Sequence, residues 1–527
     1  MPPKLPVRTV LAVLLLMQAV DPCHAADAPD LPAAPNIVLI LADDFGVGDI
    51  RAHYPDNKIA TPHLDRLAAG GMSFTDAHSA SAVCTPTRYG LMTGRYCWRT
   101  RLQEWVLAAY EPPLISSARP TLPGYLRQHG YRTACIGKWH LGWNWPGPQP
   151  GRMDERPNIL ATSRWDFTKP IEDGPTTRGF DHYFGTDVPN FPPFTFIEND
   201  RVVEHPTAAY MPHPEDGVAL PAKFNGCPMA PGWRMTEILP TLTGRAVKYV
   251  HEQAKTKRPF FLFFSMTSPH DPVSPSERFR GRSGIAPIAD FVMETDWSVG
   301  QVIRAVDDAG IADNTLILFT ADNGHSARSG WNELIKAGHR PSGEFRGRKA
   351  DIWEGGHRVP LIVRWPGRVP PGSRSGQLLC LNDVMATCAE VLGDELPPDA
   401  APDSFSILKT MLGKTDKPFR PNLVSHSVHG EFAFREGPWK LVFRLPGAKD
   451  KSRGKRTVAE LYDLEEDVAE TRDLAAAEPQ VVKHLTEGLR EVVDRGRSRP
   501  GPGQPNDTRV RFDIVQTERW APPLPQQ

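Results

Sequence analysis

Cys84-Thr85-Pro86-Thr87-Arg88 puts a small nucleophile precursor, a helix-starting proline and a fixed cation within five residues. Proline is tolerated in the first helical turn and Gly94 suits a helix end, so the pattern predicts a helix from Pro86 to Thr93 with the cysteine at its N-terminus. Unpaired backbone amides there favour negative charge. Arg88, four residues on, shares a helix face with Cys84. Together these features describe a pocket for an anion. A lone cysteine near an arginine is more often a buried small side chain beside an unrelated charge, so the rest of the chain has to supply the site.

Five apolar runs without alternation read as strands buried on both faces: Asn36 to Leu41, Arg132 to Ile136, Phe260 to Ser265, Thr315 to Thr320 and Pro360 to Arg364. Amphipathic stretches, His63 to Gly70, Leu122 to His129 and Leu239 to Lys255, lie between them. The alternation predicts an α/β fold with a mostly parallel, mixed sheet flanked by helices. Four of these strands run into polar groups: Asp43-Asp44, then Lys138 and His140, then His270, then Asp322-Asn323. Open α/β sheets bind ligands beyond the carboxyl ends of their strands, so these groups are expected along one edge. Asp43, Asp44, Asp322 and Asn323 offer only hard oxygen donors, which select calcium or magnesium over zinc. Each pair alone would pass for an ordinary turn or helix cap.

The run Cys84 to Tyr96, CTPTRYGLMTGRY, closely resembles the signature of the type I sulfatases of the alkaline phosphatase superfamily. In that family the cysteine is oxidised after translation to formylglycine, whose hydrate is the nucleophile. The resemblance therefore implies formylglycine at position 84, made by a formylglycine-generating enzyme, and one calcium ion held by Asp43, Asp44, Asp322 and Asn323. GKWHLG (Lys138, His140), SPHDP (His270) and RKADIWEGG (Lys349) resemble the remaining catalytic segments. By the same resemblance, Lys138, Lys349 and Arg88 steady the sulfate oxygens, His270 protonates the departing alcohol, and His140 takes the second hydroxyl proton. His325, His339 and His357 are not carried over. The signature looks closest to bacterial sulfatases of sulfated sugars, such as 6-sulfated galactose or N-acetylgalactosamine, with aryl sulfates as simpler substrates. Two alternatives stand beside this. Phosphonate or phosphodiester hydrolases of the superfamily share the cysteine pattern, although they place histidine where this chain has Asn323. An unconverted Cys84 would leave a protein that binds sulfated glycans without cleaving them.

The chain has 527 residues, a net charge of -1 and 40% hydrophobic residues, a soluble globular composition that gives no reason to expect nucleic acid. Its 54 prolines are about twice the usual share and predict long ordered loops. Lys4 and Arg8, an apolar stretch from Val10 to Met17 and small residues at Ala25-Ala26 form a secretory signal pattern over residues 1–25. The apolar run falls short of the roughly 20 residues a spanning helix needs, so export to a periplasm or beyond is expected, without stable membrane insertion. Lipidation at Cys23 fits poorly behind Asp21 and Pro22. Of the other cysteines only Cys380 and Cys388 suggest a disulfide, and weakly. The expected division is a catalytic domain over 35–402, a smaller α+β domain over 415–500 and a Pro-rich, poorly ordered tail over 501–527. Within the smaller domain, Glu431 to Phe443 reads as a hairpin, Glu460 to Leu464 as a strand and Glu478 to Arg495 as a packed helix. Lys449 to Arg456 reads as a solvated basic loop. Trp143 to Pro150 and Asp187 to Thr195 are candidate pocket walls. Nothing in the sequence specifies an oligomeric state.

Overall fold

In the strand NIVLILA (β1, Asn36–Ala42) every position is apolar or small except the first, so the side chains on both faces seek burial, and all seven residues are buried. The FFLFFS strand Phe260–Ser265 does the same. Each large aromatic or aliphatic side chain removed from water contributes about 1.5–3 kcal/mol, which is why these runs occupy the middle of the sheet. The computed structural model describes residues 34–147, 165–213, 220–415, 417–445 and 457–513. The signal pattern, Cys23, the end of the first proposed wall and the basic run to Arg456 lie outside the described residues.

Besides β1, the elements that carry the site are α1 (Cys84–Thr93), β2 (Arg132–Lys138), β3 (Phe260–Ser265), α2 (Pro287–Asp308) and β4 (Thr315–Ala321). They belong to a ten-stranded sheet. β4, β1, β3, β2 and His182–Thr186 lie side by side in that order, all parallel. Antiparallel strands extend both sides, so the sheet is mixed, as expected. The register is level: Leu41 pairs with Ser265 and Thr320, and Ser265 with Gly137. Asp43, Lys138 and Asp322 therefore emerge from neighbouring strands at nearly one height. Gly137, at φ 123°, is required here, because a Cβ would lie 1.7 Å from the Ser265 carbonyl oxygen.

α2 braces the segment that carries His270. Thr295 Oγ1 donates to Ser268 Oγ at 2.8 Å, and Glu294 Oε2 accepts from the Ser276 amide at 2.8 Å. The residue after Thr295, Asp296, accepts from the amides of His63 and Leu64, at 3.1 and 2.8 Å, at the start of helix Pro62–Ala69. Burial pushes both carboxyls up to about 7. A carboxyl raised on folding contributes stability that is complete below its unfolded pKa, near 4, and is lost as pH rises through 7. Thermal stability should thus fall between pH 5 and pH 8, by about 1–3 kcal/mol for each group, and Glu294→Gln with Asp296→Asn should flatten that slope. Melting curves at stepped pH measure it, and an unchanged slope in the double variant would rule out these carboxyls as its source.

Four antiparallel strands, Asn422–His426, Phe432–Glu436, Trp439–Arg444 and Val458–Asp463, make the smaller sheet, and helix Pro479–Asp494 packs on it through Leu485, Leu489, Val492 and Val493. Charged residues seal its other side to the large sheet. Lys440 Nζ lies 3.0 Å from Glu354 Oε1 and 2.7 Å from Glu470 Oε1, and Arg435 reaches Asp76 at 2.8 Å.

Three expectations need correction. The chain is not loose from Pro500: Asp507 pairs with Arg95 at 3.0 Å, Asn506 with Arg99 at 3.0 Å, Thr508 with Gln103 at 2.7 Å, and Phe512 enters the small core. Trp143 and Trp145 are buried core residues, Trp143 against Tyr183, rather than a wall facing solvent. Cys380 and Cys388 are separate buried free thiols; burial raises both to about 12 and leaves them unreactive.

Candidate active site

α1 begins at Cys84, two residues before the proline that suggested it, so the cysteine lies in the first turn beside the unpaired amides. Gly94 ends the helix in the left-handed region at φ 60°, its amide donating to the Gly90 carbonyl. The whole helix is buried, and Arg88 is 0% exposed. A guanidinium this deep needs acceptors for its donors. Nε and Nη2 donate to Asp322 Oδ2 at 3.1 and 2.9 Å, and Nη1 donates to Ser265 Oγ and the Lys138 carbonyl at 2.5 and 3.2 Å. Arg88 thus works through the carboxylate and strand ends around it.

Lys138 Nζ pairs with Asp43 Oδ2 at 2.7 Å, and Lys349 Nζ with Asp44 Oδ1 at 2.6 Å. Asn323 Nδ2 donates to Asp44 Oδ1 at 2.8 Å. Asp44, at φ 65°, turns its amide back onto Asp322 Oδ1 at 3.1 Å. Ligand atoms of Asp43, Asp44, Cys84 and His270 all lie within 4.8 Å of one another. The structure thus brings together the residues that the strand ends pointed to, with Lys349 from a loop.

Burial alone would raise the Asp43 carboxyl, but Lys138, His270 and Arg88 hold it far below the carboxylate range. Burial and the charge of Asp43 push Asp322 the other way, well above its ordinary value despite Arg88. Two buried carboxylates this close cannot both stay ionised at low cost without a further cation. Asp43 Oδ1 and Asn323 Oδ1 are buried and have no hydrogen-bond partner. Orphaned hard oxygens beside crowded carboxylates fit a divalent metal ion such as calcium or magnesium.

At Cys84, burial pushes the thiol up, but Lys138 and Lys349 overcome it and hold the group well below the ordinary thiol range. His140 sits in the left-handed region at φ 54°, with its amide bonded to Asp187 Oδ1 and Nε2 against the Leu107 carbonyl at 3.0 Å. Nδ1 has no hydrogen-bond partner, and burial and Lys138 lower the imidazole, which favours the neutral, proton-accepting form. His270 Nδ1 donates to the Asp271 carbonyl at 2.7 Å while Nε2 lies 3.9 Å from Asp44 Oδ2. Burial and Lys349 act against its proton, but Asp43 and Asp44 prevail and raise it. The two imidazoles are thus pushed in opposite directions, His140 toward its neutral form and His270 toward its protonated form.

His325 and His339 both bond Asp49, at 3.3 and 2.7 Å, and His357 bonds the Ile352 carbonyl at 3.1 Å. Ser265 holds Arg88, and Leu107 and Asp187 hold His140, roles that were not anticipated from the sequence. Also unforeseen is a backbone seam beside Cys84 and Lys349. The Ala82 amide donates to the His426 carbonyl at 2.9 Å, the Ala350 amide to Ala82 at 2.8 Å, and the Val428 amide to Ala350 at 3.1 Å.

A mixed α/β sheet with a smaller antiparallel sheet, and a buried anion site fed by its strand ends, define an ester hydrolase of the sulfatase class. The sequence model described as Sulfatase matches residues 35–394, and the chain belongs to that family. It is similar to an N-acetylgalactosamine-6-O-sulfatase of Bacteroides thetaiotaomicron, 33% identical over 88% of this chain and 93% of the relative. Arylsulfatase A of Homo sapiens is 31% identical over 86% of each chain. A solved structure concerning metabolism of multiple glycosaminoglycans by Bacteroides thetaiotaomicron superposes with a TM-score of 0.75 at 30% identity, covering 88% of this chain and 99% of that one. The chain is therefore a sulfuric ester hydrolase.

Proposed function

We propose that this enzyme removes sulfate from carbohydrates, with 6-O-sulfated N-acetylgalactosamine or galactose as the preferred substrate class. The observation that carries the reading is similarity along 93% of a relative named N-acetylgalactosamine-6-O-sulfatase, joined to a buried cluster of charged side chains around Cys84. Asp43, Asp44, Asp322 and Asn323 would hold calcium, which when bound supplies positive charge against the sulfate oxygens. Converted to formylglycine by its maturation enzyme, residue 84 would supply a hydrated aldehyde as the nucleophile.

The remaining work falls to side chains already placed. Lys138 and Lys349 face the reacting position from opposite carboxylates and stabilise the anion there. His270, its proton held by Asp43 and Asp44, donates to the leaving alcohol oxygen. His140 Nδ1, unpartnered and next to Cys84, takes the proton whose loss releases sulfate. Without metal, Arg88, Lys138 and Lys349 are already matched by Asp43, Asp44 and Asp322, so the pocket offers an anion little net attraction until a divalent cation is added. The signal pattern at residues 1–25 supports export, to a periplasm or beyond. No helix among the described residues is long and apolar enough to cross a membrane.

The test is a desulfation screen across defined sulfated monosaccharides and an aryl sulfate, with phosphate diesters as controls, run after chelation and after calcium is restored. Sulfate release from 6-sulfated sugars only in the calcium arm is the expected result. Faster turnover of phosphate diesters would transfer the assignment to the phosphodiesterase branch of the superfamily. Activity that persists after complete chelation would refute the metal assignment.

A further inference from the structure

A buried sulfate pocket must hand the rest of its substrate to the surface, so the residues around the opening decide which alcohol fits. Four large apolar side chains are exposed among the described residues, Trp105, Val203, Met211 and Ile335, and only Trp105 is aromatic. Its backbone is held at φ 60°, a left-handed conformation that bulky side chains avoid. Such strain persists only where surrounding contacts impose it, and it collects at functional sites. The Trp105 amide donates to the Val428 carbonyl at 2.7 Å.

Both sides of that contact lead back to the reaction centre within a few residues. Leu107, two residues after Trp105, offers its carbonyl to His140 and takes the Thr85 hydroxyl oxygen on its amide at 3.3 Å, beside Cys84. Val428 bonds Ala350, next to Lys349. His429, exposed, sets its ring perpendicular to Trp105 with centroids 5.3 Å apart. Nearby, the Asp351 carboxylate, which also feels His429, accepts the Arg348 amide at 3.1 Å. An aromatic face beside an imidazole and a carboxylate suits a sugar ring, which presents C–H groups on one face and hydroxyls at its edge.

We infer that Trp105 and His429, brought together from the two sheet domains, form the platform that seats the sugar ring of the sulfate ester, with Trp105 under the ring and His429 at its hydroxyl edge. This rests on the carbohydrate reading above. The pair determines specificity and takes no part in bond breaking.

Trp105→Ala, Trp105→Gly, Trp105→Phe and His429→Ala, made in the full chain and assayed on the 6-sulfated sugar that wild type turns over best, test it. Trp105→Ala should raise KM roughly tenfold or more with kcat changed little, the scale of a well-packed aromatic anchor, and Trp105→Phe should recover part of the loss. His429→Ala should also raise KM. Inhibition by inorganic sulfate, which needs only the buried pocket, should be unaltered in all four. Trp105→Gly, freed of the left-handed strain, should melt no lower than wild type yet share the KM defect, which separates substrate binding from folding. A KM within about twofold of wild type in both Trp105→Ala and Trp105→Gly would overturn the inference while leaving the function intact. If wild type cleaves aryl sulfate but none of the sulfated sugars, the carbohydrate reading fails and the platform falls with it.

Discussion

Cys84→Ser, produced in a host that does not oxidise serine and confirmed unmodified by intact mass, should lose steady-state turnover by at least about a thousandfold while keeping its fold. Cys84 lies in the first turn of a wholly buried helix and feels the charges of Lys138 and Lys349, a position suited to the nucleophile proposed above. Serine keeps the size and offers one hydroxyl. Attack by that oxygen on sulfur would release the alcohol and leave a sulfate ester on the protein, with no second hydroxyl whose proton could be withdrawn to expel sulfate. The variant is therefore expected either to stay inert or to accumulate the sulfated form, visible as a mass gain of one SO3 group. Mass of the wild-type peptide containing Cys84 provides the complementary reading, because the aldehyde is lighter than the thiol. Turnover of the unmodified serine variant at the wild-type rate would remove residue 84 from the chemistry altogether.

Arg88→Ala should damage folding and activity together, with stability falling by about 3–5 kcal/mol. Removing one partner of a buried ion pair leaves the other charge without compensation, and Asp322 would be left facing Asp43. Asp322 is already pushed toward protonation by burial and by Asp43, with Arg88 the main force opposing it. Loss of the guanidinium should therefore neutralise Asp322 and weaken metal binding by the same step. Chemical denaturation with and without calcium measures both effects, and calcium should recover less stability in the variant than in wild type. Arg88→Lys keeps a charge but cannot hold Asp322 Oδ2, Ser265 and the Lys138 carbonyl at once, so it should fall between the two. A stability loss for Arg88→Ala below about 1 kcal/mol would mean that the pair is not carrying the site.

The strand-end residues were legible because buried parallel strands are written as unbroken apolar runs, and a charged residue directly after one has few places to go except the sheet edge. Asp43, Lys138 and Asp322 are of this kind. Lys349 became visible only through resemblance, since loop residues carry no periodic signal. Leu107, Ser265 and Asp187 were hidden for a different reason: they act through a carbonyl, a hydroxyl and a carboxylate whose partners are set by tertiary contact. Trp143 and Trp145 were misplaced because an aromatic loop reads the same whether its rings face solvent or core. The packing of residues 500–513 was missed because its prolines argue for looseness, while the contacts that order it, from Arg95, Arg99 and Gln103, lie some 400 residues upstream.

The Sulfatase match stops at residue 394, but the backbone seam from His426 to Ala82 and from Val428 to Ala350 does not respect that limit. Two loops that carry Cys84 and Lys349 borrow hydrogen-bond partners from a stretch the family match omits. The span of the family match is thus smaller than the unit that must fold cooperatively. A fragment ending at 394 would expose the amide of Ala82 and the carbonyl of Ala350, and it would inherit the signature without the means to hold it still. For this chain the portable piece of inheritance is the whole two-sheet assembly, and a recombination or cleavage point between the sheets would be expected to silence the enzyme rather than trim it.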